Sequence, residues 1–176
     1  MSSRKKINRM VLAAMFLAFA LVLPFLTGQV PQFGNALCPM HIPVLLCGFL
    51  CGPWYGLAIG LVGPLLRFFL FGAPPLIPIV IPMCFELATY GMVTGLLYKS
   101  LPQKKSSVYF SLIGAMLLGR VVWGVARVVL LGLGKAEFGW TAFIAGAFLN
   151  AVPGMIIQLI LIPILVIALE KNREKQ

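Results

Sequence analysis

Ten of the chain's fourteen basic residues fall in three short clusters, and nearly everything between the clusters is apolar. The clusters are Arg4, Lys5, Lys6 and Arg9; Lys99, Lys104 and Lys105; and Lys171, Arg173 and Lys175. Lys and Arg accumulate in short cytoplasmic loops of polytopic membrane proteins. The layout therefore predicts an all-α integral membrane protein, a six-transmembrane-helix bundle whose N and C termini and one central loop lie on the cytoplasmic side. With 61% hydrophobic and 10% charged residues, the chain has too little polar surface to solvate a globular monomer. The net charge of +10 would suggest nucleic acid in a soluble protein. Here the basic residues flank apolar spans, where they attract anionic lipid headgroups instead.

A spanning helix needs about 20 residues, and cutting the chain where Pro, Gly and charge cluster divides residues 1–176, read as a single membrane domain, into helices at about 7–27, 41–51, 54–71, 77–98, 108–131 and 139–169. The first apolar run is long and no Ala-x-Ala-like site follows it, so it is expected to be a retained helix rather than a signal peptide. Ten basic residues then lie inside, Lys135 outside, and Arg67, Arg120 and Arg127 within spans. The second helix is the weak point, because 11 residues rise only about 17 Å. Small residues four apart, as in Gly56-x3-Gly60, Gly91-x3-Gly95, Ala115-x3-Gly119 and Ala147-x3-Ala151, make seams for close helix packing.

The missing chemistry narrows the function. There is no aspartate, and of four glutamates only Glu86 falls inside a span, so carboxylate-pair catalysis has no parts. His41 is the sole histidine and no Gly-x-Ser-x-Gly occurs, which leaves no Ser/His hydrolase and no sign of an enzyme. Cys47 and Cys51 share a helix face, and Cys38 lies near His41. They read as apolar packing residues or, less simply, as a soft-metal site, and no metal or cofactor is expected. No Gly-x4-Gly-Lys-Ser/Thr motif occurs, so uphill transport would draw on a partner subunit or an ion gradient.

Ionisable and polar groups within spans are costly, and each is a candidate for function. Arg67 lies near the outer end of helix 3; Glu86 and Tyr90 are four apart on helix 4; Arg120, Trp123 and Arg127 share a face of helix 5; Asn150, Gly154 and Gln158 make a stripe on helix 6. Together they suggest a polar pocket open to the outside, covered by an outer loop, Gly28 to Pro39, with Asn35 and His41 offering hydrogen bonds. A competing reading makes Glu86 and Arg120 a buried structural ion pair, lets Arg67 and Arg127 snorkel to outer phosphates, and makes His41 a helix-start residue. Three arginines against one glutamate favour a ligand bearing carboxylate or phosphate. A stand-alone secondary carrier for a small anionic metabolite is the alternative function.

The basic N-terminus leads into Val11-Leu-Ala-Ala-Met-Phe-Leu-Ala18, followed by a long first loop, Asn35-Ala-Leu-Cys-Pro-Met-His-Ile-Pro-Val-Leu-Leu-Cys-Gly48 and Gly52-Pro-Trp-Tyr-Gly56. In these features and in its six-helix size the chain resembles the substrate-binding S components of energy-coupling factor (ECF) vitamin transporters, in the branch that includes pantothenate and vitamin B6 carriers. The resemblance implies a multi-pass protein of the bacterial cytoplasmic membrane that captures a small vitamin from outside. It also implies delivery through a shared transmembrane coupling protein with two cytoplasmic ATPases, with Ala14 and Ala18 forming the docking face. Helix 1 departs from the pattern beyond that pair, with Met10 and Leu21 where small residues would extend the footprint. Excess intramembrane Arg favours pantothenate, a carboxylate, over neutral pyridoxine.

Overall fold

Among the described residues, proline and glycine mark several of the helix boundaries. The computed structural model describes residues 3–27, 39–72, 74–102, 104–133 and 152–173. Among them every regular element is helical: α1 (Ser3–Thr27), α2 (His41–Cys51), α3 (Pro53–Phe71), α4 (Ile81–Ser100), α5 (Lys105–Leu133) and α6 (Val152–Arg173), with a π-helical turn at Leu76–Val80 leading into α4. The segments Ser3–Phe25, Pro53–Phe71 and Lys105–Leu130 are long and apolar enough to cross a membrane, while His41–Cys51 and Gly154–Leu169 are apolar but shorter. Large apolar side chains cover the outside, with Phe69 75% and Trp54 71% exposed. Such a surface is stable against lipid rather than water.

Two helix ends require glycine. Gly52 separates α2 from α3 at φ 106°, and Gly72 ends α3 at φ 67° in the left-handed region with its N–H on the Phe68 carbonyl. Pro53 follows Gly52 directly, at the first position of α3, where its missing N–H costs nothing. α1 begins at Ser3 rather than Ile7, because its basic first turns are good helix formers and need no lipid around them. α4 begins at Ile81 rather than Ile77. Pro78 and Pro82 remove donors from a regular helical start, and the chain bonds five residues back instead, Val80 N–H to the Pro75 carbonyl at 3.2 Å. The expected sixth helix from 139 overlaps the described one only from Val152, and residues 134–151 lie outside the described set.

α4 is the hub, packing on α2, α3 and α5. Glycine sets how closely. Gly91 of α4 lies backbone to backbone against Gly56 of α3, Gly60 against Leu87, and Gly95 against Pro53, so α3 and α4 run antiparallel at a spacing that admits no side chain between them. Gly48 of α2 presses on the Gly91 carbonyl and the Thr94 hydroxyl. Thr94 donates that hydroxyl to the Tyr90 carbonyl at 2.7 Å, which keeps it satisfied within a fully buried seam. Lipid offers no hydrophobic drive for helix association, so close van der Waals contact of this kind must supply it.

A Cβ at position 91 would overlap the Gly56 backbone, whereas one at Gly63 would meet nothing nearer than the flexible ends of Leu17 and Met40, at 3.8 and 3.9 Å. Gly91→Ala should therefore destabilise by about 1–3 kcal/mol through overpacking, although Ala is the better helix former. Gly63→Ala should be neutral or stabilising; thermal unfolding of both variants in detergent checks the contrast.

Candidate functional site

At one end of the bundle three helices bring ionisable groups into the interior. The start of α2 supplies His41, the second turn of α4 supplies Glu86, and the middle of α5 supplies Arg120; these are 4%, 3% and 7% exposed. α2 and α4 run in the same direction, pairing residue 41 with 86 and 90, and 48 with 91 and 94. α5 runs antiparallel to α4, pairing 90 with 119 and 97 with 114. This register sets Glu86 between the other two.

One carboxylate oxygen serves both neighbours. Glu86 Oε1 is 3.1 Å from Arg120 Nη1 and 3.6 Å from His41 Nε2. The arginine contact is an ion pair by distance without an aligned hydrogen bond to Oε1, and both ring nitrogens of His41 lack a hydrogen-bond partner among the described residues. Tyr90 completes the wall: its ring meets the His41 ring edge-on, with centroids 5.3 Å apart. A side chain at 119 would overlap the Tyr90 ring, so Gly119 lets α5 close over it. Buried polar groups are normally satisfied. A buried imidazole with two open nitrogens, beside a carboxylate oxygen lacking an aligned donor, has the polarity to hold water or a small polar ligand.

The other two arginines expected within spans, Arg67 and Arg127, are placed elsewhere at the same end. Arg127 lies two turns, about 10 Å, beyond Arg120 along α5, with its guanidinium 5.0 Å from the centroid of the Trp123 ring. Arg67, expected either to line the pocket or to snorkel, joins α3 to α1: its Nη1 donates to the Leu21 carbonyl at 3.4 Å, and its guanidinium lies 5.2 Å from the centroid of the Phe25 ring. This position suits it to pinning the C-terminal end of α1, whose Phe25 also meets Phe71 edge-on at 4.6 Å. Asn35 and Asn150, with the loop expected over the pocket, lie outside the described residues. Ala14 and Ala18 are exposed on α1, flanked by Met10, Val11, Met15 and Val22. Cys47, Cys51 and Cys84 are buried and in no disulfide, and no cluster of three or more metal-ligating side chains occurs among the described residues.

Of two further buried polar residues, Gln158 (2% exposed) was expected from sequence and Ser111 (0% exposed) was not. Ser111 falls on the buried face of α5 with Leu112, Ala115 and Met116, so helical periodicity carried the signal. Gln158 belongs to the polar stripe of α6.

The fold and site define a polytopic helical membrane protein with a buried polar cluster and no catalytic constellation among the described residues. The family model for the ECF transporter substrate-specific component matches residues 8–166, about nine-tenths of the chain. The chain belongs to that family, a transport component rather than an enzyme. No curated protein matches it.

Removing one member of a buried ion pair strands the other at about 3–5 kcal/mol. Arg120→Met should therefore lower the unfolding temperature sharply, and adding Glu86→Leu should recover most of the loss. Equal melting of the Arg120→Met variant and the wild type would show that Arg120 does not hold the Glu86 charge.

Proposed function

We propose that this S component captures a small water-soluble vitamin at the His41–Glu86–Arg120 cluster, pantothenate ahead of a vitamin B6 compound. The observation carrying the reading is the buried, incompletely hydrogen-bonded cluster at one end of a chain that belongs to an ECF substrate-specific family. Tyr90, Trp123 and Arg127 extend the site along α4 and α5, with Asn35 and Asn150 as further contacts and Arg67 as the residue that ties α1 to α3 beside it. Three arginines and one glutamate leave the membrane-spanning interior cationic, which supports a carboxylate ligand and hence pantothenate.

In this reading the whole chain is one domain of a bacterial cytoplasmic membrane, with both termini in the cytoplasm and the cluster toward the outside. The basic ends of α1 and α6 support that orientation, since positive charge is retained on the cytoplasmic face. The exposed Ala14 and Ala18 let a partner helix approach the α1 backbone. That partner is the transmembrane coupling protein of an ECF module, whose two ATPases supply the energy this chain has no motif to supply.

Titration of the purified protein with pantothenate and pyridoxine tests the cargo, and submicromolar affinity for pantothenate is expected. Ala14→Trp and Ala18→Trp should abolish ATP-driven uptake while leaving vitamin affinity within about twofold, because the bulk is added on the face away from the cluster. Uptake by the wild-type chain in cells lacking any coupling module would instead establish a stand-alone carrier.

A further inference from the structure

Glu86 and Arg120 offset one another at 3.1 Å, so the pair presents no net charge to an incoming ligand. Among the described residues, the ionisable groups around His41 can be named helix by helix. From α4 it faces Glu86 and Tyr90, and from α5 the Arg120 guanidinium reaches the same Glu86 oxygen, while Arg127, two turns farther along α5, has its guanidinium over the Trp123 ring and outside the Glu86–Arg120 pair. α1 carries its basic residues at the opposite end, α3 has Arg67 engaged with Leu21, and α6 has no ionisable residue between Val152 and Leu169. On α2 itself the titratable groups are Cys47 and Cys51, six and ten residues along. A carboxylate entering this buried space would add a negative charge to a neutral pair, at a desolvation cost that needs a compensating charge.

We propose that His41 supplies that charge: each carboxylate bound at the cluster brings one proton from solvent onto the imidazole, making the site selective for anions through proton uptake. His41 has both ring nitrogens open. As imidazolium it donates from Nε2 toward Glu86, 3.6 Å away, and from Nδ1 toward the ligand. The net charge of cluster plus ligand is then zero. A neutral ligand of the same shape takes up no proton, because the pair is already balanced without it. The inference rests on the cluster being the ligand site. It makes His41 a specificity-determining residue, and an anion's affinity falls as pH rises, by at most tenfold per pH unit for one linked proton.

The test is calorimetric titration of the tag-free protein with pantothenate and with its uncharged alcohol, panthenol, between pH 6 and 8 in buffers of different protonation heat. Pantothenate should take up about one proton per site and bind more weakly toward pH 8; panthenol should take up none. In His41→Gln, the uptake and the pH dependence of pantothenate binding should disappear together. Because His41 is the sole histidine, ring nitrogen NMR of the wild type gives a second readout without a variant. Saturating pantothenate at pH 7.5 should convert the ring to imidazolium, and panthenol should not. Pantothenate binding with no proton uptake and a neutral ring overturns the inference and leaves the ligand assignment standing. Uptake that persists in His41→Gln also overturns it. Absence of pantothenate binding, with pyridoxine bound instead, overturns the ligand assignment and the inference with it.

Discussion

A single carboxylate buried among apolar helices organises this molecule. Glu86 is 3% exposed, and an ionised carboxylate there is tolerable only with a cation beside it. Arg120 supplies the cation from α5, and His41 approaches the same oxygen from α2. The Glu86 requirement thus brings three helices to one point, and removing Arg120 is costlier than never having had the pair. The interaction also defines the chemistry. A balanced pair next to an open imidazole is a site whose charge state can follow its ligand, whereas a lone arginine would be a fixed positive anchor.

That cluster depends on packing several turns away. Glu86 lies one turn from Tyr90 on α4, and Gly91 and Gly95 hold the rest of that helix against α3. If α3 and α4 were separated by the width of a methyl group, Glu86 would shift relative to α2 and α5. Gly48 ties α2 to the same seam, and Gly119 lets α5 close over the Tyr90 ring. In lipid, where burial of apolar surface gives no preference between helices, glycine contacts fix spacing and the polar cluster fixes register. Each defines what the other leaves free, and α1, packed on α2 and α3 and joined to α3 through Arg67 and Phe25, is left with an exposed face.

The helical fold was legible because its determinants are local. Basic clusters bounding apolar runs identify a helical membrane bundle, and Gly52-Pro53 marks a break because only glycine adopts φ 106° readily and proline tolerates the next position. The π-helical entry to α4 was not legible. It depends on how Pro78 and Pro82 redistribute donors in three dimensions, and a count of apolar residues cannot see that. At the site, Glu86, Arg120 and His41 stood out because ionisable groups in apolar runs are conspicuous. The Glu86–Arg120 pair was one of two readings the sequence offered; that His41 meets the same Glu86 oxygen was not legible, since 45 residues separate His41 from Glu86 and only the helix register brings them together. The partner of Arg67 was hidden for the same reason: its charge was visible, but the Leu21 carbonyl that receives it belongs to another helix. Ser111 was passed over because a serine in an apolar run is unremarkable until its face of α5 is known to be buried.

The measurement that tests the account most directly is an experimental structure of the protein loaded with pantothenate in a lipid environment. The account predicts ligand density bounded by His41, Tyr90 and Arg120, with the carboxylate within hydrogen-bonding distance of a His41 ring nitrogen and the Glu86–Arg120 pair intact. Density seated away from these residues, with the His41 nitrogens still without a partner, would contradict the assignment of this cluster as the ligand site.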